Sequence, residues 1–192
     1  MAKSFSVSTA ASVAILTTAE AKQHLKVDTS ADDSYIDDLV QAATESAQVF
    51  TNRFFINTVL TQHGDTWSDL AVLFKSPVSS TTHIKYYDSD NTIQTLATSV
   101  YTTDLTHNPA RVGLSPNQSF PALADRISAV ECKYTVGYGT AASDVPTAIK
   151  QAVLLTIGNW YENRQEVVVG RIASELPKSA QYLLEQYKVQ TV

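Results

Sequence analysis

The spacing of apolar residues changes twice along the chain, and the two changes divide it into three segments. From Leu16 to Phe54 apolar residues recur every three to four positions, the period of a helix buried on one side. Thr17 and Glu20 stand at capping-box spacing, which predicts a short helix over 18–26. Ser30 or Asp32 then caps a longer helix. Its buried stripe is Tyr35, Ile36, Leu39, Val40, Ala43, Ala47 and Phe50, and it ends near Asn52 or Arg53.

From Ile56 to Gly139 the period falls to two. Val59, Thr61 and His63 alternate with Leu60 and Gln62, and short apolar runs follow at Leu70–Phe74 and Ile84–Tyr87. The residues DSDN before Thr92 make a turn between two strands. Further short strands are expected at Ser99–Asp104 and Ala110–Leu114. The clearest lies within Ile127–Val136, where Val130, Cys132, Tyr134 and Val136 share a face opposite Glu131, Lys133 and Thr135. Together these predict an antiparallel sheet of about five to seven strands, of the size common in globular domains.

Helical spacing returns after residue 140. Asp144 is the expected N-cap, with Pro146 in the first turn, where its missing N–H costs nothing. Ile149, Ala152, Val153, Ile157, Trp160 and Tyr161 cover a broad face of this helix, flanked by Leu154 and Leu155. So wide a face needs neighbours on more than one side. Pro177 opens a last short helix containing Tyr182, Leu183 and Tyr187. The fold class is therefore α+β: a bundle of about four helices with a β module inserted between the second and third. The parts are a flexible arm over 1–15, helices over 16–55, the β insertion over 56–140, and C-terminal helices with a docking tail over 141–192, one domain with 16–55.

Hydrophobic residues make up 44% of the chain and charged residues 17%, enough for a core. The net charge of -5 and the absence of any basic run argue against a reader of nucleic-acid sequence. The single cysteine, Cys132, allows no internal disulfide and reads as a small buried hydrophobe. No stretch approaches the ~18 apolar residues of a membrane span. Val13–Leu16 is shorter than the ~7–15-residue core of a secretory signal, so a reducing cytoplasm is the expected place of synthesis.

Candidate chemistry is sparse. His24, His63, His83 and His107 stand at no ligand spacing, and no phosphate loop, nucleophile elbow or zinc motif occurs. Neither a catalytic residue nor a cofactor or metal is expected. Asp88-Ser89-Asp90-Asn91 lacks the glycine and distal glutamate of a calcium loop and reads as a hairpin turn. Asp28, Asp32, Asp33, Asp37 and Asp38 crowd the start of the second helix. There acids suit the helix dipole, each by roughly 0.3–1 kcal/mol.

Two features exceed what one core uses. The run AVLLTIGNWYENRQ carries Trp160 and Tyr161 straight into Glu162, Asn163 and Arg164, with no nucleophile nearby, and reads as a packing junction. Val167, Val168 and Val169 then form a β-branched run inside a connector that should be polar. Such a run invites edge pairing, and a neighbouring chain is the favoured cover, with Trp160 and Tyr161 expected at the same intersubunit contact.

The order of elements resembles the head-to-tail connector, or adaptor, proteins of tailed double-stranded DNA phages. The resemblance runs from Leu16 to Val189. It is carried by LTTAEAKQHLKVD, DDSYIDDLVQAATESAQVFTNRFF, FKSPVSSTTHIKYYDSDN, ECKYTVGYGT, VPTAIKQAVLLTIGNWYENRQ and ELPKSAQYLLEQYKV. It implies a ring, expected as a dodecamer, at the virion neck. Such a ring docks on the portal protein after DNA packaging, extends the DNA channel and offers a platform to a stopper or tail-completion protein. It also implies portal docking through Leu176, Pro177, Tyr182, Leu183, Leu184 and Tyr187. Deleting residues 174–192 should then abolish attachment and leave a folded bundle. DNA would pass without sequence-specific binding, and some of the five aspartates would face the lumen or its rim. The alternative is a carbohydrate- or peptide-binding module presenting Trp67, Tyr86, Tyr87 and Tyr101 from the β insertion. A hydrolase ranks third for want of an assembled catalytic set.

Overall fold

Residues 4–163 and 176–189 are described by the computed structural model, and they divide between a helical unit and a β unit. The helical unit takes residues from 12–56 and 139–188, and the β unit those from 4–11 and 57–138 with Val189. The chain is a mixed α+β protein.

Four helices build the helical unit: α1 (Thr18–Leu25), α2 (Asp33–Thr51), α3 (Thr147–Glu162) and α4 (Lys178–Glu185). The capping box opens α1 as its spacing predicts. The Glu20 backbone N–H donates to Thr17 Oγ1 at 3.2 Å, and the Thr17 N–H donates to Glu20 Oε2 at 2.7 Å. Both α1 and α2 end on a residue in the left-handed region, Lys26 and Asn52, whose N–H groups return to the last turn. On α2 the buried residues Ile36, Leu39, Val40, Ala43 and Ala47 form the stripe, while Tyr35 and Phe50 are half-buried at its margins. Helix α3 touches all three others. Ile149, Ala152, Val153 and Ile157 are fully covered on it, which is what its wide apolar face requires.

Two helix starts differ from expectation. Asp144 does not cap α3: its carboxylate accepts from the Ala141 N–H at 2.9 Å, and Pro146 holds the N-cap position. Asp32 stands at the N-cap of α2 but makes no capping bond, because its carboxylate is engaged elsewhere.

The β unit contains β1 (Ser4–Thr9), β2 (Thr58–Gly64), β3 (Val78–Tyr87), β4 (Ile93–Thr95), β5 (Tyr101–Asp104), β6 (Arg111–Leu114) and β7 (Val130–Val136). Five form an antiparallel sheet in the order β1-β2-β7-β3-β4, and β5-β6 form a separate hairpin. The central strand β7 alternates as its sequence predicts, with Val130, Cys132, Tyr134 and Val136 buried.

The N-terminal arm is a correction. Residues 4–9 form the edge strand β1, with Phe5 opposite Gln62 and Val7 opposite Leu60, so the sheet draws on more than the segment between α2 and α3. Nor is Leu70–Phe74 a strand. A 3-10 turn spans Trp67–Leu70, and only Val72 makes an isolated bridge, to Arg111.

Candidate functional site

Gln62 organises the inner face of the sheet. It is fully buried, and its amide meets four partners. Nε2 donates to the carbonyls of Asp69 at 2.9 Å and Val72 at 3.0 Å. Oε1 accepts from the Phe74 N–H at 3.1 Å and the Tyr134 hydroxyl at 3.3 Å. A Gln offers two donors and two acceptor sites, so its capacity is used in full. Alternation places Gln62 beside Leu60 on the core face, but nothing in the local pattern names its partners. Burial pushes the Tyr134 hydroxyl pKa above its ordinary range and the Cys132 thiol up to about 12. Cys132 is thus an inert core group rather than a nucleophile.

The aromatics weighed as a binding platform are used internally. The Trp67 ring stacks on Phe120 with centroids 4.5 Å apart and lies 5.4 Å from Tyr86. Its Nε1 donates to the Pro121 carbonyl at 3.0 Å. The Arg126 guanidinium lies 3.7 Å over the Tyr87 ring, and Tyr101 is buried. A sugar-stacking face needs an open ring, and these rings are covered by other side chains.

The five aspartates separate into two groups. Asp32 accepts from the Tyr161 hydroxyl at 2.6 Å, Asp33 pairs with Lys22 at 2.6 Å, and Asp37 accepts from Thr18. These three tie α2 to α3 and α1. Asp28 and Asp38 are exposed, and Asp37 is exposed as well despite its bond. Tyr161 also meets the Tyr35 ring at 6.1 Å. Its hydroxyl and ring therefore serve the helical unit itself. Trp160 is half-buried. Val167, Val168 and Val169 lie outside the described residues.

The C-terminal set divides in the same manner. Leu176 and Leu184 are buried in the helical unit with Ala180, while Tyr182 is 84% exposed. Pro177, Leu183 and Tyr187 are half-buried, and the Tyr187 carbonyl accepts from Arg53. Leu176 and Leu184 therefore hold α4 down, which corrects the expectation that removing residues 174–192 spares the bundle. Burying each leucine contributes ~1.5–3 kcal/mol, and deletion would strip both.

Among the described residues, no three His, Cys, Asp or Glu side chains converge as metal ligands, and no helix is long and apolar enough to cross a membrane. His83 titrates below its usual range, chiefly through burial, with Lys85 and Lys133 adding to the effect.

The family described as Phage gp6-like head-tail connector protein matches residues 16–109 and 122–188. No curated protein matches the chain. Among solved structures, a chain in the virion of a native gene transfer agent particle has 22% identity and a TM-score of 0.77, with 98% of this chain and 96% of that chain covered. A chain in the neck of an empty particle of that kind, computed with C6 symmetry, has 21% identity and a TM-score of 0.78, with 98% and 97% covered. A third, in the neck of the native particle computed with C12 symmetry, has 21% identity and a TM-score of 0.72, with the same coverage.

Proposed function

The chain belongs to the phage gp6-like head-tail connector family, and from that premise we propose that it is a structural virion protein forming a closed ring at the neck. The ring, read as a dodecamer, docks on the portal protein after DNA packaging, continues the DNA channel and carries a stopper or tail-completion protein. It does no chemistry. The observation that carries this reading is the family match over both units, from α1 through β5 and again from β7 through α4. The likeness in fold to chains from necks with six- and twelve-fold symmetry is consistent with it.

The docking surface narrows to α4. Tyr182 projects from a helix anchored by Ala180 and Leu184, so an aromatic is offered on a firm base, the usual character of an interface anchor. Leu183, Tyr187 and Pro177 flank it in the chain. At the lumen or its rim, the exposed Asp28, Asp37 and Asp38 supply negative charge. DNA that must slide should meet no basic grip, because each neutralised phosphate adds salt-sensitive affinity.

The test is Tyr182→Asp in the full chain, assayed by pull-down on portal rings. Binding should fall at least tenfold while the urea unfolding midpoint stays unchanged. Full retention of binding would overturn the docking assignment.

A further inference from the structure

The five-stranded sheet ends in two edges of opposite character. At the β1 edge all six residues, SFSVST, are exposed, and none is charged. Phe5 and Val7 stand opposite the buried Gln62 and Leu60, on the core face of the sheet, yet they are 37% and 50% exposed. The Lys75 ammonium lies 5.3 Å over the Phe5 ring and puts a cation at this edge. Apolar side chains beyond the last covering strand, on an edge with no charge or proline of its own, make a surface suited to another chain.

The β4 edge combines apolar and acidic groups. Ile93, Gln94 and Thr95 are all exposed, and the turn before them carries Asp88 and Asp90. Asp88 accepts from the backbone N–H groups of Thr92 at 3.0 Å and Asp90 at 3.1 Å, and from Gln94 Nε2 at 2.9 Å. These bonds, that from Thr92 foremost, hold its carboxyl below the usual range, so the turn keeps its negative charge. Beside the turn, Ile127 is 82% exposed on a loop fixed from both sides. Arg126 donates to Asn91 Oδ1 at 3.1 Å and covers the Tyr87 ring, while the Ser128 N–H donates to Asp65 at 2.7 Å. An aliphatic side chain held out on a fixed loop loses little freedom on docking, as an interface anchor should.

We propose that the β4 edge, with its acidic turn and Ile127, docks on the β1 edge of a neighbouring copy, and that this contact joins successive subunits of the ring. Each edge supplies what the other lacks. Ile93 and Ile127 bring apolar surface to Phe5 and Val7, and Asp88 and Asp90 bring negative charge to the edge that carries Lys75. Two β4 edges would set acidic turn against acidic turn and repel, which selects the unlike edge as partner. The two surfaces differ and lie at opposite ends of one sheet, so the contact is head-to-tail and can repeat around a closed axis. The inference rests on the ring reading above.

Disulfide trapping in the full chain tests it. Ser6→Cys or Val7→Cys, one on each face of β1, is combined with Ile93→Cys or Gln94→Cys, and each pair is oxidised where native mass spectrometry reports a ring, alone or on portal rings. Within one chain the two edges are separated by four strand spacings of about 4.8 Å, too far for a disulfide, so any link joins two copies. The buried Cys132 thiol stays out of the reaction. At least one pair should give a ladder of covalent multimers, at least tenfold more abundant than with either single variant, and mixing the two single variants should give linked dimers. Ile127→Asp added to that pair should cut linkage at least tenfold while leaving the urea unfolding midpoint unchanged. Full linkage in the Ile127→Asp background, or dimers from a single variant alone, would overturn the inference. Rings without linkage in any pair would also overturn it while leaving the ring reading intact. A chain that stays monomeric, alone and with portal rings, would instead remove the ring reading, and this inference with it.

Discussion

Replacing Gln62 by Leu tests the account of the β unit most sharply, because the two side chains have similar volume and differ in hydrogen bonding. The substitution leaves four groups without their partner: the carbonyls of Asp69 and Val72, the Phe74 N–H and the Tyr134 hydroxyl. The bonds to Phe74 and Tyr134 are fully buried, so neither the Phe74 N–H nor the Tyr134 proton gains water in exchange, although the Tyr134 oxygen keeps its bond to the Lys75 backbone. At ~1–3 kcal/mol for each stranded group, the loss is about 2–6 kcal/mol. Set against a total stability of ~5–15 kcal/mol, that is a large fraction. Trp67 lies in the β unit and Trp160 in the helical unit, so a Trp160→Phe background lets Trp67 fluorescence follow the β unit alone. With an m-value of ~2 kcal/mol/M, the middle of the usual range, the urea midpoint should fall by about 1–3 M. Gln41→Leu, at an exposed glutamine whose side chain donates to Glu45, is the control and should shift it little. A Gln62→Leu midpoint within the error of the parent would refute the claim that this amide holds the 69–74 segment to the sheet.

The helical unit supports further predictions. Gly139→Ala should destabilise by about 1–3 kcal/mol in thermal unfolding, as in an overpacked core, because a Cβ there would lie 2.1 Å from Asp144 Oδ2. Gly158→Ala should instead stabilise by up to about 1 kcal/mol, since the new methyl meets His24 at an ordinary 3.5 Å and helix propensity improves. The Thr17 backbone N–H and then its hydroxyl hold the Glu20 carboxyl below its usual range. A depressed folded value adds stability that is complete above the unfolded value of about 4.3 and fades as pH falls through the folded one. Glu20→Ala should therefore lower the urea midpoint at neutral pH and progressively less in acid, read by urea titrations across pH. Tyr161→Phe removes the bond to Asp32 and should cost ~1 kcal/mol in unfolding without changing subunit number in native mass spectrometry.

Where local chemistry decides, the amino-acid pattern was legible. The α1 capping box, the α2 stripe and the alternation of β7 each depend on residues a few positions apart, and each stands where the spacing puts it. Features that depend on distant partners were not legible. In SFSVST every second residue is serine, so the segment looks like a polar arm until β2, more than fifty residues later, supplies its ladder. The Leu70–Phe74 run has strand composition, but its backbone is taken piecemeal. Gln62 binds the Val72 carbonyl and the Phe74 N–H, and the Leu73 N–H donates to Ala110. The acidic cluster likewise read as one solvated face. Tyr161 reaches Asp32 from 129 residues away, and Lys22 engages Asp33, which leaves the most exposed charge on Asp28, Asp37 and Asp38. For the same reason the C-terminal docking set could not be separated by sequence into anchors and contacts. Leu183 and Leu184 are adjacent and chemically identical, yet only Leu184 turns into the core.

Native mass spectrometry of the full chain, alone and mixed with portal rings, bears most directly on the proposed neck assembly. A closed oligomer of about twelve subunits that associates with the portal is the expected result. A single folded subunit at every concentration, unchanged when portal rings are added, would contradict it.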